Sequence, residues 1–265
     1  MFNSVSRVRA FALSAISVVL LSAPVFAQAP VIQAPAAPAA PAAPPPPPPG
    51  WTGAIGGGLA LTSGNSDTST TNVGFDVLRD FGTPVIFKST GLLLKGSNAG
   101  ESNVDRSQAD ARLEYKLSPR LAAFGLTTFA RDNFKAIDYL LAPTAGLSYK
   151  VVATDRTEWT TDGSLGVVFE KNKGLNVDTS GAIVAGEKLT HKFAEKTRFV
   201  HAATGLWKMK DFDDAFYTLS AGLITSVAGN FDLKTEFLTT YKNKLTNPLL
   251  KKADQSVVLS VVYKY

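Results

Sequence analysis

The chain has 265 residues, a formal net charge of +5 and no cysteine. The lack of cysteine excludes disulfides, zinc–thiolate sites and a cysteine nucleophile. The basic excess is modest and no Lys/Arg block stands out, so the charge pattern gives no sign of nucleic-acid binding.

Residues 1–27 have the pattern of a cleaved secretory signal peptide. Arg7 and Arg9 give a positive start, Ala10 to Leu21 form an uncharged and mostly apolar run, and Val25-Phe26-Ala27 predicts cleavage after Ala27. The run is shorter than the roughly 20 apolar residues that cross a bilayer, although an uncleaved anchor stays the alternative. Cleavage would lower the net charge to +3, because the segment carries two arginines and no acid.

Residues 28–50 form an Ala/Pro-rich stretch that ends in six consecutive prolines, Pro44 to Pro49. Proline donates no backbone hydrogen bond and does not fit a helix interior or a central strand. We therefore expect an extended periplasmic linker, and a sharp domain boundary at Trp51.

From Trp51 to Tyr265 the sequence predicts β-strands. In Arg106 to Leu117 polar and apolar residues alternate strictly, and Phe231 to Tyr241 repeats the pattern. A period of two places the two groups on opposite faces of a strand. The Gly56-Gly57-Gly58 run is not a phosphate-binding loop, because no Lys-Ser/Thr or helix follows it. We expect it to let the first strand bend or pack closely.

Three features favour a membrane barrel over a soluble β-sandwich. The segments are long, as membrane-spanning strands are. Aromatic residues stand ten positions apart on one face, a span of roughly 25 Å that equals the height of the apolar band of a barrel. These pairs are Tyr139 with Tyr149, Trp159 with Phe169, and Phe231 with Tyr241.

The third feature is an alternation of short and longer connections. Short ones lie around Gly82, Pro119, Thr154, Glu195 and Gly229, and residues 98–105 and 172–177 are longer and more polar. Periplasmic turns and outer loops alternate in this way. The sequence thus predicts an all-β, antiparallel up-and-down transmembrane barrel of about 12 strands over residues 51–265, with both mature termini in the periplasm. Ten or fourteen strands stay open.

The last segment resembles the assembly signal of outer-membrane barrels. Val257, Leu259 and Val261 continue into Tyr263-Lys264-Tyr265, which fills the aromatic–any–aromatic pattern of that signal. The resemblance makes Tyr263 and Tyr265 the assembly signal, and it implies the barrel-assembly machinery as a partner. Most such proteins end in Phe, so the terminal Tyr is a mild departure.

Few residues are available for catalysis or metal binding. Pairing the strands of His191 and His201, the only histidines, places them as diagonal neighbours about 7–8 Å apart. Glu187 shares their lipid-facing side, and a carboxylate there predicts a bulge or a slipped register in this hairpin. A barrel lipid hydrolase needs an activated serine and a histidine near the outer leaflet. Both histidines lie near the predicted periplasmic rim instead, so we expect no catalytic, metal or cofactor site.

Charge collects on the face that is predicted to line the lumen. Intermixed signs either cross-link a closed lumen through ion pairs or line a water-filled pore. Ion-pair networks are favoured, because no ladder of a single sign appears. The predicted lumen-facing charged residues are Arg106, Asp110, Arg112, Glu114, Glu158, Asp162, Asp232, Lys234 and Glu236.

Several short motifs, in order, resemble the salt-induced outer-membrane protein family (YdiY-like), long catalogued as a domain of unknown function. They are Ser63-Gly64-Asn65-Ser66, Tyr115-Lys116-Leu117-Ser118, Asp132-Asn133-Phe134 with Ile137-Asp138, Gly146-Leu147-Ser148-Tyr149, and Lys251-Lys252-Ala253-Asp254 with Val261-Val262-Tyr263-Lys264-Tyr265. The resemblance implies a barrel of about this size, without an established substrate. Tyr139 stands where the family has Arg, so any role of that Arg does not carry over.

The leading hypothesis is a non-enzymatic outer-membrane barrel that acts as a small channel or stabilises the envelope. Its expected partners are outer-membrane lipid and lipopolysaccharide. The alternatives are a barrel lipid-modifying hydrolase and a soluble periplasmic β-sheet carrier.

Overall fold

The computed structural model of the protein describes residues 50–63, 68–98, 101–133, 135–245 and 249–265. The predicted signal peptide and the linker up to residue 49 lie outside the described residues. So do Gly64, Asn65, Ser66 and Phe134 of the motifs that carry the family resemblance.

Twelve antiparallel strands close into a barrel, in which each strand pairs with its neighbours in sequence and β1 pairs with β12. This confirms the predicted fold and strand number. The strands are β1 (Trp51–Ser63), β2 (Thr68–Asp80), β3 (Val85–Asn98), β4 (Glu101–Lys116), β5 (Leu121–Asp132), β6 (Ile137–Ala153), β7 (Thr157–Asn172), β8 (Val177–Lys192), β9 (Thr197–Lys208), β10 (Asp211–Ala228), β11 (Phe231–Lys242) and β12 (Ala253–Lys264). No helix in the described part of the chain is long and apolar enough to cross a membrane.

Both Trp51 and Tyr265 lie at one end of the barrel, which we call the terminal end; the opposite end is the loop end. Five connections of two to four residues lie at the terminal end, at the places that the sequence predicts. The predictions of longer loops over residues 98–105 and 172–177 are wrong, since only residues 173–176 connect β7 and β8, as few as in the turns at the terminal end. Asn98 pairs with Glu101, so β4 starts earlier, and its ladder with β3 satisfies the backbone groups of a segment expected to be irregular. The longest loop-end connection spans residues 243–252.

Apolar side chains cover the outside of the barrel. On β12 the exposed Val257, Leu259 and Val261 alternate with the buried Ser256 and Val258, which face the lumen. The predicted period of two therefore sorts side chains between a lipid-facing surface and an interior.

Aromatic rings gather near both edges of this outward surface. At the terminal end the rings of Phe231 and Tyr263 lie 5.2 Å apart. At the loop end Tyr217 contacts both Trp207 and Tyr241, with ring centroids 5.7 and 6.0 Å away. An apolar band between two aromatic girdles is the outer surface of a barrel that spans a bilayer.

The seam between β1 and β12 requires a close approach at Gly58. A Cβ atom on Gly58 would lie 1.8 Å from the carbonyl oxygen of Leu259, whereas one on Gly57 would meet nothing closer than 3.7 Å. The triple-glycine run thus lets the first strand pack closely, as expected, and Gly58 is the position that requires it.

The β8–β9 hairpin pairs His201 with Leu189 and His191 with Phe199, as predicted. The predicted bulge or register slip in this hairpin is wrong, because the ladder runs unbroken from Ala182 to Lys192 on β8. Glu187 keeps its outward position. Its carboxylate has hydrogen-bonding neighbours on that face, so the strand need not turn it inward.

Candidate functional site

The lumen is the candidate functional site, because the charged side chains of the strands meet there. The nine residues that the sequence predicts to face the lumen all stand on the inward side of their strands. Arg106 lies toward the loop end. The other eight lie in the middle of the barrel or toward the terminal end.

A charged network crosses the middle of the lumen. Arg112 on β4 donates two hydrogen bonds to Asp162 on β7, at 2.6 and 3.2 Å, although β5 and β6 separate these strands. The Nε atom of Arg112 lies 2.6 Å from Glu114, which also pairs with Lys88. The guanidinium carbon stands 3.7 Å from the ring centroid of Phe124. Bidentate pairing and stacking fix the guanidinium in one place.

Asp110 and Glu158 have simpler surroundings than the Arg112 network. The hydroxyl of Thr128 donates a 2.6 Å hydrogen bond to Asp110. Glu158 pairs at 3.3 Å with Lys150 at the terminal end, where both side chains are exposed.

Asp232 organises a second group at the terminal end. Its side chain is 1% exposed and accepts from Lys264 at 2.7 Å, Arg198 at 3.2 Å and the hydroxyl of Ser226 at 2.7 Å. Lys234 and Glu236 form a 2.8 Å pair along the same strand.

A third group of charges closes the wall at the loop end. Glu170 and Asp214 each pair with both Lys208 and Lys242, at 2.7 to 2.9 Å. Asp178 pairs with Lys208 at 3.0 Å. The five residues come from β7 to β11, and Glu170 has no solvent exposure. The sequence analysis missed this group, although continuing the strand alternation to the loop end would have placed Glu170, Lys208 and Lys242 inward.

Lys135 crosses the lumen at the loop end. It belongs to residues 133–136, which connect β5 and β6, yet its Nζ lies 3.2 Å from the carbonyl oxygens of Thr240 and Lys252 and 3.2 Å from Asp254 Oδ2. The Lys135 side chain is 0% exposed. Arg106 donates to the same threonine through Nη1 at 3.1 Å. No sequence signal marks Lys135, because its partners depend on a loop that folds inward.

Burial lowers the pKa of the Lys135 ammonium, and the nearby carboxylates of Asp254 and Asp132 oppose this effect. Because an isolated charge in such a place is costly, the three backbone and carboxylate acceptors around Nζ are needed to keep the charged amine there. Lys135 thus holds its loop against β11 and β12.

The inward lysines are more exposed toward the terminal end than toward the loop end. Lys88 and Lys264 are 42% and 39% exposed, whereas Lys242 near the loop end is 4% exposed. Two apolar clusters of inward residues, around Val168 and around Leu94, accompany the buried charges. The inward lysines near the terminal end are thus open to solvent, whereas those near the loop end are packed among other side chains.

The histidines lie on the outer surface and not in the lumen. His201 Nε2 stands 3.4 Å from Glu187 Oε1, and His191 Nδ1 stands 2.8 Å from the hydroxyl of Thr157. The strand partners of His201 are Leu189 and Ala221, so no serine stands opposite it. Within the described ranges, no group of three or more His, Asp or Glu residues could hold a metal ion.

Solved structures with the same fold come from outer-membrane proteins. The NanC porin is 11% identical and aligns with a TM-score of 0.55, over 81% of this chain and all of that one. The translocator domain of the autotransporter NalP from Neisseria meningitidis is 11% identical, with a TM-score of 0.50, over 82% of this chain and 88% of that one. At these identities the likeness shows the fold alone.

Among curated proteins no sequence matches the chain. The family model described as "Protein of unknown function, DUF481" matches residues 55–265, which is the whole barrel apart from its first four residues. This agrees with the predicted domain of unknown function, while the YdiY-like name stays a prediction. The chain is therefore a member of the DUF481 family, with the closed twelve-strand barrel of outer-membrane proteins.

Proposed function

We propose that this protein is a non-enzymatic channel of the outer membrane whose lumen is narrowed at the loop end by Lys135. The observation that carries the proposal is the difference in exposure between the inward lysines of the two ends. Lysines such as Lys88 and Lys264 are exposed toward the terminal end, whereas Lys135, Lys208 and Lys242 are buried at the loop end. Channels commonly place such a constriction inside a wider barrel. The porin NanC shares the fold.

The solutes that such a channel passes are small and hydrophilic. The accessible half of the lumen carries both signs of charge, as in the pairs Arg112–Asp162 and Lys150–Glu158. Mixed charges hold water but do not select one sign of ion strongly.

A structural role in the envelope is the second candidate. The loop-end group of charges around Glu170 favours it, because its ion pairs connect five strands, β7 to β11, and cross-link the wall at the loop end. A barrel closed in this way stiffens the membrane without conducting.

We infer export with cleavage after Ala27 and an orientation with both mature termini in the periplasm. The ten-residue connection 243–252 at the loop end supports this orientation, since outer-membrane barrels place their longer loops on the outer side. Tyr263 and Tyr265 would then be presented to the barrel-assembly machinery at the periplasmic face.

The absence of catalysis is also part of the proposal. Its support is geometric, because the strand partners of His201 carry no hydroxyl, and the hydroxyl of Thr157 that contacts His191 lies at the terminal end, far from the outer leaflet where a lipid hydrolase acts. Lipid profiles that change when His191 or His201 is replaced by Ala would contradict it.

Single-channel conductance in planar bilayers tests the channel. Refolded wild-type protein should give small or infrequent steps, and Lys135→Ala should give larger or more frequent ones. Lys150→Ala is the matched control, because it removes a lysine that is already exposed at the terminal end. If neither the wild type nor Lys135→Ala conducts, the channel proposal fails and the structural role is favoured.

A further inference from the structure

Glu187 places a carboxylate on the lipid-facing side of the barrel. Its strand partners are Thr161 and Ala203, and it shares the outward face with Leu189 and Trp159. The pair Trp159–Leu189 belongs to the aromatic girdle of the terminal end, and Glu187 stands one outward position further into the apolar band. This step is about 6.6 Å along the strand. The carboxylate therefore lies just inside the edge of the hydrocarbon layer.

Two neighbours hold this carboxylate in place. Trp159 donates through Nε1 to Oε2 at 3.1 Å, and His201 Nε2 lies 3.4 Å from Oε1. Each oxygen keeps a lone pair, since a carboxylate accepts up to about four hydrogen bonds. The Glu187 side chain is 37% exposed toward the lipid, and its strand partners carry no charge. Ionisable groups on the lipid side are costly and are retained where they have a function.

Beside Glu187 the outer surface is recessed. Gly163 pairs with Ala185, and a Cβ atom on Gly163 would meet nothing within 4 Å. Ala203 continues this small-residue surface on β9, while the exposed Leu165 stands beyond it. Small side chains therefore line the outer surface from the carboxylate toward the middle of the bilayer, and they leave room for a hydrocarbon chain above Gly163.

We propose that Glu187, Trp159 and His201 bind the primary ammonium group of a phosphoethanolamine lipid in the leaflet at the terminal end. The ammonium donates N–H groups to the free lone pairs of Glu187, and an acyl chain lies over Gly163 and Ala185. Opposite charge and donor count select this headgroup, because a carboxylate with free acceptors prefers an ammonium that carries hydrogens. Arg156 is exposed in the turn that precedes β7, at the terminal end.

Native mass spectrometry of the whole mature protein, released from detergent with added lipid, tests the site. Phosphatidylethanolamine and phosphatidylcholine of the same acyl chains differ at the headgroup nitrogen, and only the first has N–H donors. Wild-type protein should retain the ethanolamine lipid in preference to the choline lipid, and Glu187→Gln should lose this preference. Glu158→Gln, which removes an exposed carboxylate inside the lumen, should keep it.

Several results would overturn the proposal. These are equal retention of both lipids by the wild type, an unchanged preference in Glu187→Gln, or the same loss in Glu158→Gln. A dimer that Glu187→Gln dissociates would assign this face to a second copy of the chain instead. Heat-modifiable gel mobility checks that each variant is folded. The proposal depends on the membrane-spanning barrel and not on the channel, so Glu187→Gln should leave the conductance unchanged.

Discussion

Lys135 Nζ lies 3.2 Å from Asp254 Oδ2, although Lys135 belongs to the connection between β5 and β6 and Asp254 to β12. The lysine side chain is fully buried, and that of Asp254 is 11% exposed. One side chain therefore ties a loop-end connection to the strand that seals the barrel.

Removing one partner of this ion pair should destabilise the folded barrel. We expect Lys135→Met or Asp254→Asn to lower the free energy of unfolding by about 3–5 kcal/mol, because the remaining charge stays buried without its partner. The double variant should lose less than the sum of the two single losses. Urea unfolding in detergent micelles, followed by tryptophan fluorescence, measures all three. Strictly additive losses would show that the two residues do not interact.

The pH dependence of stability should reveal Lys135. Its pKa is lowered from the usual 10.5 by burial, so the folded protein releases this proton at a lower pH than the unfolded chain does. Between the lowered pKa and 10.5 the unfolded state binds more protons, and the free energy of unfolding rises with pH by at most about 1.4 kcal/mol per unit.

The measurement is the difference in unfolding free energy between the wild type and Lys135→Met over this pH range. Taking the difference cancels the titration of the other lysines. A difference that stays flat or falls as the pH rises would contradict the assignment.

The Arg112–Asp162 pair should stabilise the barrel more than an exposed pair does. Arg112→Met should lower the free energy of unfolding by about 1.5–3 kcal/mol, the range for hydrogen bonds to charged groups. Arg112→Lys should not restore this stability, because lysine lacks the bidentate geometry and the stacking on Phe124. The control is Lys150→Met, whose exposed ion pair is worth less than about 1 kcal/mol. The temperature at which half of each variant loses its folded gel mobility measures these losses of stability. Equal midpoints for Arg112→Met and Lys150→Met would refute the prediction.

The seam should be sensitive to one added methyl group. Gly58→Ala would place a Cβ atom 1.8 Å from the Leu259 carbonyl oxygen, so we expect a large loss of folded barrel. Gly57→Ala adds the same atom to the neighbouring residue without a close contact and should fold within about 0.5 kcal/mol of the wild type. The fraction that migrates as the compact form after refolding is the readout. Equal fractions for the two variants would mean that the strand shifts to make room.

Strand number, strand faces and hairpin register follow from the sequence, because the period of two and the turn residues act locally. The His191–Phe199 pairing is an example, since a short turn fixes the register of its hairpin. The sequence predicts irregular pairing at Glu187, because a carboxylate on the outward face has no evident partner there. Its partner is Trp159 on the neighbouring strand, and an alternation pattern does not report a hydrogen bond between two strands.

Contacts across the lumen are the part that the sequence does not determine. Arg112 and Asp162 were placed on the inward face, but their mutual distance depends on barrel diameter and strand stagger, which are properties of the closed sheet. The contacts of Lys135 are not predicted for a related reason. The path of a short connection depends on the groups that it contacts on the opposite side of the barrel.

The ladder between β1 and β12 is the one place where the barrel joins segments from opposite ends of its sequence. Eleven other ladders connect consecutive strands and can form one hairpin at a time, so the cost of bringing distant segments together falls on this single ladder. Until it forms, both strands present unpaired edges that would pair with another chain. We therefore expect assembly to aggregate least when another protein covers the unpaired edge of β12 until β12 pairs with β1.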